Sequence, residues 1–198
     1  MTTTVPTRTH APTGLRPDAA WLRLVRISLA VGVVAFLEFA VVGTFFTTIS
    51  GGDFRYAADY WYTAVGLPIT LVGIGHTFGV HKLQHGADGR LGKIGVWVNT
   101  LACVELFAQL LTSVAIGAEV RWGPSYPICA LLSFVGVALL AAGSWRTGLL
   151  PKWLLGAWPL LWIIGGLAAK GPTPVLLAAF FVVFDITLTR SMRRRQPA

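Results

Sequence analysis

The sequence predicts an all-α integral membrane bundle of six transmembrane helices, with both termini in the cytoplasm. Three observations carry this reading. The chain is 55% hydrophobic with a mean hydropathy of +0.67, and 12% of its residues are charged. An average soluble domain carries roughly 25% charged residues, so about half of the usual water-facing chemistry is missing. The apolar residues collect into six runs, each near the ~20 residues a helix needs to cross about 30 Å of hydrocarbon. Finally, the basic residues are distributed unevenly about those runs.

The first span is expected over 24–48, opening at Leu24-Val25-Arg26 and punctuated by Gly51-Gly52. The second covers 62–82 and stops before Gly86. The third covers 93–117 and is followed by Gly123-Pro124. Glycine and proline mark such boundaries because neither continues a helix well. The fourth, fifth and sixth spans are read at 126–145, 153–169 and 172–189. Only Lys170-Gly171-Pro172 separates the last two, which predicts an antiparallel hairpin. Membrane strands are excluded because the runs are too long and do not alternate.

With 198 residues the chain has room for one domain. Residues 1–22 read as a disordered cytoplasmic tail rich in Thr, Pro and Ala, 23–190 as the six-helix domain, and 191–198 as a basic cytoplasmic tail. A cleaved signal peptide is not expected, since the first apolar run is too long and lacks a small-residue cleavage site. Cys103 and Cys129 fall in hydrocarbon on different helices and read as packing residues.

The net charge is +8. With the amino terminus inside, every Lys and Arg falls on the cytoplasmic side except Arg55, Arg121 and Lys170. That asymmetry follows the positive-inside rule, and the plasma membrane is the expected location. The basic excess thus reads as topology and attraction to anionic headgroups, and nucleic acid is not an expected partner.

Three acidic side chains interrupt the apolar spans: Glu38, Glu105 and Asp185. A charge at the bilayer centre costs about 2.5–3.5 kcal/mol on insertion scales, so such residues mark functional sites. Glu38 and Glu105 lie mid-span on helices running in the same direction, at similar depth and without an evident basic partner. Glu105, Gln109 and Thr112 recur at i, i+4 and i+7, a polar stripe expected to face the interior, with Ser113 at its border. Interhelical hydrogen bonding alone would also account for the Gln and Thr. Asp185 sits near the cytoplasmic end of the last span. It either snorkels toward Arg190 or Arg193 or joins a site, with His76 at comparable depth.

His81 and His85, at i and i+4 with Asp88 nearby, have a metal-compatible spacing. Their position at the cytoplasmic rim favours a solvated helix end, and no metal is expected. His76 is the sole histidine at hydrocarbon depth, which argues against bis-His haem, and no cofactor is expected. Tyr56, Tyr60, Trp61 and Tyr62 cluster at the outer boundary as an aromatic belt or as a lid over an outward-opening pocket. Trp158 and Trp162, at i and i+4 mid-span, and Phe181 and Phe184, flanking Asp185, pack in the bundle or line an apolar pocket whose ring faces stabilise a cation. Nucleotide-binding loops, zincin motifs, nucleophile elbows and paired-aspartate diphosphate motifs are all missing.

Two resemblances bear on function. Arg146-Thr147-Gly148-Leu149-Leu150-Pro151-Lys152-Trp153-Leu154-Leu155-Gly156 resembles a loop of small six-helix bacterial membrane proteins, and implies topology rather than activity. The overall layout resembles the small integral-membrane terpene cyclases of meroterpenoid and of indole- and diketopiperazine-terpenoid pathways. In that family an early-helix Glu and a last-helix Asp protonate an olefin or epoxide, which would make Glu38 and Asp185 the acids here. The fungal members have seven helices, one more than this chain.

The resemblance implies a membrane-embedded enzyme that cyclises a lipid-soluble isoprenoid by protonation, with a hydrophobic small molecule as substrate. Its catalytic residues would be Glu38, Asp185 and Glu105; Gln109, Thr112, Trp158, Trp162, Phe181, Phe184, His76, Tyr60 and Trp61 would contact substrate. A proton-coupled transporter relaying through Glu38 and Glu105 is a second expectation, compatible with an oligomer. An accessory or structural membrane subunit is a third.

Overall fold

The structure, a computed structural model, describes residues 17–46, 52–120, 124–167 and 171–195. Residues 1–16 of the expected tail, the last three residues, Gly51, Gly123, Arg121 and Lys170 lie outside the described residues. Six α-helices follow in order: α1 Pro17–Phe45, α2 Ala57–Leu83, α3 Gly89–Ile116, α4 Ser125–Ser144, α5 Lys152–Trp162 and α6 Pro174–Arg195. Pro17 opens α1 at a position where its missing N–H would be unpaired in any case. Residues 17–22, expected in the tail, therefore belong to the helix.

All but α5 are long and apolar enough to cross a membrane. Among the described residues, the run expected to span 153–169 gives an α-helix of only 11 residues, Lys152–Trp162, which rises about 17 Å. It then loosens into a π-helical turn at Ile163–Leu167. Pro159 inside α5 has no N–H to give the preceding turn, and Gly165-Gly166 supply little to stiffen the next one. Apolarity made this segment look like its neighbours, and proline and glycine shorten it.

Each helix packs against the next in sequence, and α6 returns to α1, so the helices close into a ring. Large apolar side chains cover its outer surface: Val34 is 57% exposed, Leu101 67% and Leu131 59%. Contiguous apolar surface on that scale suits hydrocarbon and not water. The interior is filled from several helices by Phe36, Trp158, Trp162, Phe181 and Phe184, all essentially buried.

Along the α3–α4 seam the two backbones come into direct contact. A Cβ built on Gly95 would come 2.5 Å from the Gly136 carbonyl oxygen, and one on Gly136 would lie 2.5 Å from the Asn99 nitrogen. Gly143 would similarly meet the Asp88 carbonyl at 2.6 Å. Lipid offers helices no hydrophobic reason to associate, so backbone contact across small residues supplies the packing. The α2–α3 turn docks on the same seam. Asp88 is buried and meets His81 Nδ1 at 2.6 Å, while Gln84 Nε2 donates to Ser144 Oγ at 2.8 Å.

Substituting Gly136→Val places methyls where the α3 backbone runs, an overpacking that costs about 1–3 kcal/mol or more. The expected outcome is a lower midpoint in detergent or bicelle unfolding, with Gly156→Val, where nothing lies within 4 Å, as the benign control.

Candidate functional site

A buried asparagine organises the interior. Asn99 of α3 donates from Nδ2 to the Gly73 carbonyl and to Thr77 Oγ1, both at 3.1 Å. Its Oδ1 accepts from Ser133 Oγ at 2.7 Å and, more weakly, from Cys103 Sγ at 3.6 Å. Ser133 Oγ in turn accepts the Trp162 indole N–H at 2.9 Å. One carboxamide thus joins α2, α3 and α4, and through Ser133 it fixes the tryptophan that ends α5. A Cβ on Gly73 would meet the Trp162 ring at 3.2 Å, so glycine leaves room for the indole.

Trp162 and Phe36 form the floor of a cavity of about 520 Å³ between α1, α2, α3 and α4. Their ring centroids lie 6.4 Å apart at 80°, an edge-to-face pair. Phe39 stacks on Tyr62 at 4.5 Å and forms one wall. The mouth is built from two short segments that pair across the end of the bundle. Phe54 N–H donates to the Gly117 carbonyl at 2.8 Å, and Glu119 N–H to the Gly52 carbonyl at 3.0 Å. Asp59 accepts the Arg55 and Tyr56 N–H groups at 3.0 and 3.1 Å and holds the first segment in place. Phe54, Glu119 and Val120 from these segments line the opening.

The buried amide of this cavity comes from α3. Gln109 is 3% exposed; its Nε2 lies 3.4 Å from Glu105 Oε1, and its Oε1 is buried with no hydrogen-bond partner. Ser113, one turn on, donates to the Gln109 carbonyl and accepts the Val120 N–H, which ties the mouth to the wall. Thr63, Thr70, Tyr62 and Tyr126 add hydroxyls around an otherwise apolar lining.

The residues singled out from the sequence separate into several places. Gln109 and Trp162 line the cavity. Glu105 is half-buried directly behind Gln109, and Thr112, also half-buried, gives its hydroxyl to the Ala108 carbonyl of its own helix at 2.8 Å. The expected stripe is therefore rotated: α3 buries Asn99, Cys103, Leu106, Gln109 and Ser113, with Glu105 and Thr112 along its edge.

Glu38 corrects the expectation of an inward-facing acid. It is exposed on α1, in the same outer stripe as Val34, Leu37 and Val41. Phe36 and Ala40 are the buried positions, and Glu38 lies two residues from each, hence about 200° around the helix. Asp185 is also neutralised, by a cation the sequence placed at the membrane face. Arg26 Nε lies 3.2 Å from Asp185 Oδ1, which replaces the expected pairing with Arg190, Arg193 or His76.

His76 is fully buried among rings instead. It stacks on Trp158 at 4.6 Å and meets the Phe184 and Phe181 edges at 4.5 and 5.3 Å, with neither ring nitrogen hydrogen-bonded. Trp158 and Phe184 thus belong to the core and not to the cavity. Phe181 faces a separate groove between α1 and α6. Tyr60 packs edge-on against Phe54 at 5.0 Å beside the mouth, and Trp61 is exposed on the outer surface. His81 and His85 point apart, to Asp88 and to Asp18.

Compared with known proteins, the chain matches no family model, no curated protein and no solved structure.

Two substitutions test this placement. Ser133→Ala removes the acceptor of the Trp162 indole and a donor to Asn99. It is expected to destabilise by about 0.5–2 kcal/mol, the scale of interhelical hydrogen bonds in membranes, read from unfolding curves in bicelles. Glu38→Leu removes a carboxyl from the outer face, so the folded bundle is retained with a gain of up to about 3 kcal/mol. A loss of stability on Glu38→Leu would show that this face is covered in the assembled protein.

Proposed function

We propose that the protein is a plasma-membrane protein of six crossings, both termini cytoplasmic, that binds a lipid-soluble small molecule with one polar end in the Gln109 cavity. The Arg26–Asp185 contact supports the topology. It brings the amino-terminal part of α1 beside the carboxy-terminal part of α6, the arrangement expected when both ends lie on one side and the number of crossings is even. The short α5 with its π turn then serves as the remaining crossing, where helices tilt or the bilayer thins to fit. In that topology the basic ends of α1 and α6, with Arg23, Arg26, Arg190 and Arg193, would fall together on the cytoplasmic face, in line with the positive-inside rule.

Gln109 carries the ligand reading. A buried carbonyl oxygen without a partner costs about 1–3 kcal/mol, and a ligand hydroxyl or N–H would remove that cost. The surrounding volume of about 520 Å³ falls within the ~300–1,000 Å³ of small-molecule sites, and its apolar walls with few polar groups follow the same pattern. The π turn sits where such distortions often occur, at the floor of a binding site.

Acid-initiated cyclisation of an isoprenoid is the narrower form of this proposal. It needs a carboxyl at the cavity, and Glu38 and Asp185 are on other surfaces. Glu105, which reaches the wall through Gln109, and Glu119 at the mouth are the carboxyls placed for that role.

Trp162 lines the cavity and reports occupancy. Titration of the purified protein with a C15 isoprenoid alcohol is expected to quench its fluorescence, and Gln109→Leu to weaken binding about fivefold, the value of one neutral hydrogen bond. Equal affinity in the variant would exclude Gln109 as the polar contact. Reporter fusions at the two ends are expected on the same side; opposite sides would leave five crossings. Cyclised product that survives Glu105→Gln and Glu119→Gln would remove both as proton donors.

A further inference from the structure

We propose that the groove between α1 and α6 binds the phosphate end of an anionic glycerophospholipid. The groove encloses about 720 Å³ and combines two chemistries in one line. At its polar end stand Arg23 and Arg26, with Asp185 across from them on α6. Below lie Ile27, Ala30 and Val33 of α1 and Val182 of α6, all apolar.

Charge and geometry select the occupant. Two arginines face one carboxylate, which leaves a net positive charge. The Arg26 contact with Asp185 runs through Nε, one of the five N–H donors of the guanidinium, which leaves donors for a second acceptor. The Arg26 side chain is 55% exposed and that of Asp185 30%, so the pair is reachable from the bilayer. Arg23, one turn toward the helix start, is exposed as well. A planar guanidinium matches the oxygens of a phosphate better than any other side chain does. From Arg26 to Val33 the apolar strip runs about 10 Å along α1, the depth of an upper acyl segment below its headgroup. A free anion would use the arginines and leave that strip bare, whereas a phospholipid uses both.

The site rests on the membrane placement proposed above and is independent of the Gln109 ligand. The test is native mass spectrometry of the whole protein, released from micelles doped with equal phosphatidylglycerol and phosphatidylcholine. One phosphatidylglycerol is expected to be retained in preference. Arg23→Gln is expected to cut that preference about fivefold, the effect of one arginine near a charged surface. Arg26→Gln combined with Asp185→Asn, which leaves no unpaired charge, is expected to cut it by a similar factor. Gln109→Leu should leave it unchanged. Equal retention of the two lipids would overturn the proposal, as would a preference that survives Arg23→Gln or displacement by millimolar inorganic phosphate. Because Arg23 is exposed, its variant decides the matter even where the double variant does not fold.

Discussion

The carboxamide of Asn99 is surrounded by protein on every side, and both of its donors and its acceptor oxygen are engaged. In hydrocarbon an unsatisfied amide has no water to fall back on, so this arrangement exists in one register of α2, α3 and α4 and in no other. The glycine seam between α3 and α4 makes that register reachable. Gly95 and Gly136 bring the two backbones close enough for Ser133 to meet Asn99. Packing without the network would permit sliding, and the network without the glycines would not close.

From this node the cavity follows as a consequence. Ser133 accepts the Trp162 indole, which sets the end of α5 against the centre of the bundle, and the π turn carries Gly166 past Phe36. The least regular helix of the bundle thus contributes Trp162 and Gly166 to the cavity lining. Helix irregularity at depth is tolerated only where protein or a cavity surrounds it, and here both do.

The spans were legible because hydropathy reports burial in lipid and in protein alike, and for the same reason it hides which face is which. In a soluble helix the polar side identifies the outside; in α1 both sides are apolar, so Glu38 offered no sign of its direction. The assumption that an intramembrane acid turns inward placed it in the bundle, and the phase set by Phe36 and Ala40 places it outside. Asp185 was obscured differently. Its partner Arg26 lies 159 residues away, a distance that only the return of α6 to α1 closes. Gln109 was recognisable as an interruption of an apolar run, and Trp162 by its i, i+4 spacing from Trp158. Asn99 interrupts its run just as plainly, and it shares a face with Cys103 and Gln109; that spacing was the available signal.

The polar groups of the bundle divide by whether their hydrogen bonds are complete. Asn99, Ser133 and Thr77 saturate one another and hold helices together, and a ligand would have nothing to gain from them. Gln109 is different, since among the described residues its side chain makes one long hydrogen bond, to Glu105, and its side-chain oxygen has none. His76 is also unpaired, yet rings close it off on the faces and edges that a ligand would need to reach. Incompleteness next to open volume, rather than charge in the membrane, is the criterion on which the proposed binding group rests. By that criterion the acids that stood out in the sequence yield to a neutral amide on α3.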